Sequence, residues 1–343
     1  MIDISDKNVL EEYLLNRGVV NKGDGYSFHY CKGGVSCTVV FVYAGKKPMI
    51  IKQGLAQLKV KEEWLCDPNR MNIEQESNRI YHKLVPECAP EVYFYDGENY
   101  IYGREAVPEN WRMWKTDLLS GLLDFTAANK IITTLLTVHN KCAGDSAVAK
   151  EFENKEIFYG LRVSPYLEFM LKQYPQLESY MRPIINFLME SNITLIHGDF
   201  SPKNIMTDGT SVSILDYEVA HYGHPAFDLA FFSTHFVLKS VKNKEWAESY
   251  LNMLTYMMDI YFAGVKCMDA LELQGCYVRL LALIMLARVD GKSPAEYITE
   301  TRDKDLIREC AFTIINEGIK GYRTAADMIL DKIKQERGGS VTC

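Results

Sequence analysis

Apolar and polar positions alternate along the first hundred residues of the chain. Residues 35–42 (VSCTVVFV) have the β-branched content of a strand, 44–47 read as a turn, and 49–52 read as a second strand. Together they predict a hairpin. Residues 72–84 then place Ile73, Ile80, Tyr81 and Leu84 at helical spacing, and Pro86 ends the run. Two further strands are expected at 91–95 and 100–103, around the tight turn Asp96-Gly97-Glu98-Asn99. The first stretch is thus expected to form a small antiparallel sheet with one helix.

From about Asp117 the period changes to 3.6, with helices expected at 117–143, 165–172 and 180–191, and from Glu245 to the end. One interruption stands out. Residues 193–196 and 212–215 are short apolar strands separated by a polar loop, and a hairpin-like return between them is expected. This change of period divides the chain into residues 1–103 and 104–343, an α+β arrangement of a small sheet lobe and a larger helical lobe.

Composition narrows the classes of function. A chain of 343 residues suits two domains, and 48% hydrophobic with 24% charged residues is ordinary for a globular protein. With 38 basic against 45 acidic residues, the net charge of −7 offers no footprint for nucleic acid or an anionic membrane. The apolar run at 280–287, bracketed by Arg279 and Arg288, falls short of the ~20 residues a bilayer span requires. The N-terminal MIDISDKNVLEEYLL lacks the layout of a signal peptide. Nine scattered cysteines form no CxxC pair, so free thiols and a cytoplasmic setting are expected.

The polar loop carries the candidate chemistry. It reads Ile196-His197-Gly198-Asp199-Phe200-Ser201-Pro202-Lys203-Asn204, and the second strand ends in Asp216-Tyr217-Glu218. Phosphoryl transfer requires a carboxylate to orient an attacking hydroxyl and accept its proton, and oxygen ligands to hold Mg2+ across phosphates. Asp199 follows the first strand, Asn204 lies five positions on, and Asp216 ends the second strand. Average residue usage makes HGDxxxxN a chance event on the order of once in a thousand chains of this length. Lone Asp and Asn residues often cap turns, but three at these positions point to a site.

The loop resembles that of the aminoglycoside phosphotransferase and choline kinase family, and is similar in detail to the methylthioribose kinases within it. The similar segments are Ile50-Ile51-Lys52-Gln53, Ile73-Glu74, Asp216-Tyr217-Glu218 and the stretch HYGHPAFDLAFF that contains Asp228. The resemblance implies a bilobal protein-kinase-like fold, ATP and Mg2+ as cofactors, and a small-molecule hydroxyl compound as substrate. It implies that Asp199 is the catalytic base, that Asn204, Asp216 and Glu218 bind metal, and that Asp228 braces the loop. Lys52 and Glu74 would form the pair that holds the ATP phosphates. Gly103, Arg104, Glu105 and Ala106 would supply the adenine hinge.

Other candidates stay open. Gly33-Gly34 with Ser36 is either a phosphate cradle or an ordinary hairpin turn. Trp111 and Trp114 are either packing or an aromatic wall for the substrate. Arg279 is either a sugar-binding residue or the cationic end of an apolar helix face. Lys203 is either a γ-phosphate contact or solvated, and His197 is expected to organise the loop. Only eleven residues separate Asp216 from Asp228, too few for a peptide-docking segment, so a small substrate is favoured. Sugars, aminoglycosides, choline and homoserine all remain, as do a non-catalytic ATP-binding role and a homodimer.

Overall fold

In the computed structural model, which describes residues 1–23, 25–31, 37–44, 48–55 and 67–339, a sheet lobe is followed by a helical one. The sheet lobe opens with α1 (Lys7–Asn16), β1 (Tyr26–Tyr30), β2 (Cys37–Ala44) and β3 (Met49–Gly54). It continues with α2 (Arg70–Leu84), β4 (Val92–Asp96) and β5 (Ile101–Glu105). The five strands are antiparallel in the order β1-β2-β3-β5-β4. Successive strand residues point to opposite faces, and this alternation distributes the core. Val40, Val42, Ile51 and Ile101 pack with Leu10 and Leu14 of α1, while Cys37 and Tyr102 meet Met71 of α2 on the other face. Lys52 follows Ile51 and therefore points to the α2 face.

The expected hairpin, α2 and the 91–103 strands are all present. α1 and β1 are additions. Asp6 caps α1 by accepting from the N–H groups of Asn8 and Val9, and Gly18 ends it at φ +67.

The helical lobe begins with β6 (Arg112–Met113), α3 (Trp114–Leu119), α4 (Phe125–Cys142), α5 (Ser146–Glu151) and α6 (Glu156–Phe158). Tyr159–Glu168 is a π-helix with Pro165 inside it. Proline has no N–H for the α-helical ladder, which favours a wider turn there. Next come α7 (Phe169–Gln173), α8 (Glu178–Glu190), β7 (Thr194–Ile196), β8 (Ile205–Thr207), β9 (Val212–Ile214) and β10 (His221–Gly223). The lobe closes with α9 (Ala226–Lys242), α10 (Ala247–Gly264), α11 (Ala270–Asp290), α12 (Thr301–Glu317) and α13 (Tyr322–Gly339). α9 is buried on all sides, as a central helix must be. α11 has the length and composition to cross a bilayer, but here it packs between α9 and α12.

The expected return of 193–196 onto 212–215 does not form. β7 pairs with β10, and β9 pairs with β8. The short turn Pro202–Asn204 reverses the chain into Ile205–Thr207, whose buried Ile205 and Thr207 occupy the edge of β9. Two bonds still tie the loop to the end of β9. The Leu215 N–H donates to Asn204 O at 2.9 Å, and His197 Nε2 lies 3.2 Å from Leu215 O.

Candidate active site

A lysine ammonium on the inner face of β3 needs partners, and it has two. Lys52 Nζ lies 2.7 Å from both oxygens of Glu74 on α2 and 2.7 Å from Asp216 Oδ1. Burial alone would lower the Lys52 pKa, yet Asp216 and Glu74 hold it well above the ordinary lysine range. Burial raises Glu74 in turn, with Lys52 pulling the other way, and the Tyr102 hydroxyl donates to Glu74 Oε1 at 2.7 Å. Glu76, two positions further along α2, instead accepts from Gln75. Asp216 sits in the left-handed region at φ +69. For a residue other than glycine this costs of order 1–3 kcal/mol and marks a site where geometry is imposed. Burial works to raise its pKa, but Lys52 and Lys203 hold the carboxyl far below the usual range.

Asp199 is 3% exposed and surrounded by donors. Arg162 Nη2 forms an ion pair with Oδ1 at 2.9 Å, Lys203 Nζ lies 2.8 Å from Oδ2, and Asn204 Nδ2 donates to Oδ2 at 2.8 Å. Against the effect of burial, Arg162 and Lys203 keep its pKa below the ordinary value, so it is a carboxylate at neutral pH. Arg162 comes from the π-helix, where its Nε also donates to Gly198 O at 2.9 Å. Sequence reasoning missed this residue, because nothing in the period of GLRVSPY marks it.

The loop itself is held by Asp228, which accepts from the His197 N–H at 2.7 Å and the Gly198 N–H at 2.8 Å. This is the bracing role expected of it. His197 is kept neutral by burial. Its Nδ1 accepts from the Asp199 N–H at 3.2 Å, which places its proton on Nε2, toward Leu215 O. Gly198 has φ +75, and a Cβ there would lie 2.4 Å from Val219 O. Only glycine fits.

The donor set at the end of β9 suits a hard cation. Asn204 uses its amide N–H groups on Asp199, leaving Oδ1 without a partner among the described residues, and only Oδ1 of Asp216 is bound by Lys52. Amide and carboxylate oxygens are magnesium ligands. Glu218 is placed differently. Arg70 Nε of α2 binds its Oε2 at 3.1 Å, so this acid joins the two lobes.

Several expected site residues lie elsewhere. Gly33, Gly34 and Ser36 fall outside the described residues. Gly103 is a sheet residue facing Phe94, whose ring would lie 2.3 Å from an added Cβ. Glu105 is exposed, and the N–H groups of Glu105 and Ala106 already donate to Glu91 O and Pro48 O. Trp114 is 1% exposed and packed against Phe232 and Phe236, so it has no face for a ligand. Trp111 lines a cavity with Pro86, Glu87 and Pro108, and Asp199 is not among the residues of that cavity. Arg279 is exposed and bonds back to Gly275 O on its own helix. On the same helix Arg288 takes the inward position, beside Tyr166.

Residues 166–254 match the phosphotransferase enzyme family. The crystal structure of a choline/ethanolamine kinase family protein from Mesorhizobium loti superposes with a TM-score of 0.50 at 16% identity, covering 95% of this chain and 94% of that one. Residues 166–254 are thus similar to that family, and the chain as a whole has the bilobal, kinase-like α+β fold of this neighbour. Its similar relatives include methylthioribose kinase 2 of Oryza sativa subsp. japonica, 22% identical over 228 residues, or 58% of this chain and 53% of that protein. A methylthioribose kinase of Bacillus cereus is 26% identical over 264 residues, 68% of this chain and 66% of the relative. The chain thus spans between about half and two thirds of the length of these relatives.

Proposed function

We propose that the protein is an ATP- and Mg2+-dependent small-molecule kinase that phosphorylates a hydroxyl of a sugar-like substrate. The observation that carries this reading is the convergence of Lys52, Asp199 and Asp216 from β3, the loop after β7 and the end of β9. In this reading residues 1–103 bind ATP and 104–343 hold the acceptor. Asp199 orients the acceptor O–H and takes its proton as the oxygen bonds to the γ-phosphorus and ADP leaves. Its low basicity makes orientation the larger share of its contribution, in keeping with a loose transition state. Asn204 and Asp216 would hold Mg2+, which would neutralise charge on the phosphates. Lys52 supplies a fixed positive charge to the same phosphates, kept in place by Glu74.

The relatives support a sugar-like acceptor, and the intact Lys52, Asp199 and Asp216 set speaks against a non-catalytic binding role. ADP release measured over methylthioribose, 5-deoxyribose, other pentoses, choline, homoserine and aminoglycosides tests the reading. Turnover of a sugar-like compound at least about tenfold above choline and the aminoglycosides is expected. Preference for choline or an aminoglycoside would replace the sugar assignment, and absence of ADP release together with absence of MgATP binding would remove the kinase assignment.

A further inference from the structure

Beside Asp199 lies a cavity of roughly 210 Å3, and its charge is lopsided. Its walls include Lys115, Lys203, Arg288, His235, Tyr166 and Glu296. Glu296 is the only acid among these, and it is engaged by Lys115 at the rim. Lys203 joins the cavity to the catalytic carboxylate, and Arg162 lies on the other side of that carboxylate with its guanidinium over Phe231, another wall residue. Behind the wall Lys239 is fully buried. Among the described residues its Nζ meets only His235 O at 3.3 Å and the face of Tyr297 at 5.2 Å. Five cationic side chains thus share two carboxylates, Asp199 and Glu296.

Arg288 is the most informative of these. It is 9% exposed, and among the described residues its Nη1 bonds only neutral groups, the Tyr166 hydroxyl at 3.2 Å, Ser293 O at 2.5 Å and Ser293 Oγ at 3.3 Å. Its Nε is buried with no hydrogen-bond partner, and its nearest acid on the cavity wall is Glu296, which feels the Arg288 charge but is bonded to Lys115. A buried cation with no carboxylate bonded to it is costly, and a bound anion would offset that cost. His235 reports the same field: burial and the surrounding Lys239, Arg288, Lys203 and Lys115 keep its imidazole neutral. Its ring nitrogens make no hydrogen bond with any described residue.

We propose that the acceptor substrate bears an oxyanion, a carboxylate or a phosphate, that docks on Arg288 while its hydroxyl faces Asp199. This rests on the kinase reading and narrows it to sugar acids or sugar phosphates small enough for the cavity. Neutral sugars leave Arg288 uncompensated, and choline or aminoglycosides bring positive charge into a positive site.

Binding measured without nucleotide keeps this test separate from the kinase reading, which ADP release and MgATP binding examine. Gluconate, ribose 5-phosphate, ribose and choline are titrated calorimetrically into wild type, Arg288→Gln, Arg288→Lys and Lys239→Met. At least one of the two anions binds saturably, and about tenfold or more tighter than ribose or choline. Arg288→Gln weakens that anion by about tenfold or more, the scale of one lost charged hydrogen bond, and Arg288→Lys restores part of it. Lys239→Met, which adds no buried polar group, weakens it several-fold. Gluconate as the tighter anion identifies a carboxylate, and ribose 5-phosphate identifies a phosphate. Failure of both anions to bind, equal binding of ribose or choline, or unchanged anion affinity in Arg288→Gln and Lys239→Met overturns the proposal.

Discussion

Lys52 Nζ and Asp216 Oδ1 lie 2.7 Å apart although 164 positions separate them in the chain, and this contact joins the sheet lobe to the end of β9 in the helical lobe. Glu74 completes a triad of one cation and two anions, in which Lys52 and Glu74 are buried and Asp216 is partly exposed. Removing the cation leaves two carboxylates facing each other, so Lys52→Met should lower thermal stability. Breaking a buried pair from one side typically costs about 3–5 kcal/mol. Bound phosphates lose the same charge. Calorimetric titration of MgATP should show affinity reduced by about tenfold or more, and unchanged affinity would separate Lys52 from the nucleotide site.

Gly198→Ala tests the backbone of the loop. The added Cβ meets Val219 O at 2.4 Å, and φ +75 is unfavourable for alanine. A loss of about 1–3 kcal/mol in denaturant unfolding is expected, with kcat falling much further than the KM for ATP. A variant with wild-type kcat would show that the loop tolerates a different path.

Metal dependence follows from Asn204 and Asp216. MgATP should raise the thermal midpoint, and EDTA should abolish the rise through simple linkage. Asp216→Ala should lose the metal-dependent part of the rise. A rise by ATP that persists in EDTA would place the nucleotide on protein groups alone.

Lys239 predicts a pH-dependent stability. Burial first, then Lys115 and Arg288, push its ammonium down to about 7, against an ordinary value near 10.5 in the unfolded chain. A cation with a lowered folded pKa costs stability in full below pH 7, and the cost fades as pH rises from 7 toward 10.5. Lys239→Met should therefore stabilise the protein by an amount of order a few kcal/mol at pH 6.5, and by progressively less toward pH 10. A gain independent of pH would assign the effect to packing instead.

The residues that sequence reasoning located are those whose role is tied to a local period or string. Asp199, Asn204 and Asp216 follow from the spacing of the loop and the strand after it, whereas the pairing of Lys52 with Glu74 and the role of Asp228 are what the family resemblance implies. The strand partners of the loop did not follow, because β8 is only three residues long and pairing depends on which edge a turn reaches. α1 was overlooked although Asp6 and Gly18 bracket it as cap residues do. Which arginine of α11 turns inward is a matter of phase. Arg279 and Arg288 are nine residues apart on α11, and at roughly 100° per residue they face opposite sides of the helix. One is solvated and the other is buried beside Tyr166. Arg279→Ala should accordingly leave KM unchanged. Arg162 had no such signal, since a π-helix breaks the period that would have revealed its face.

The central claim is that Asp199, held ionised by Arg162 and Lys203, orients an acceptor hydroxyl for transfer from MgATP. Steady-state ADP release with the best acceptor, compared between wild type and Asp199→Asn, tests it most directly. The account predicts a fall in kcat of about 10²–10⁴-fold, the range of general acid–base contributions, with the KM for ATP within about threefold. An Asp199→Asn enzyme that keeps more than about a tenth of wild-type kcat would contradict it.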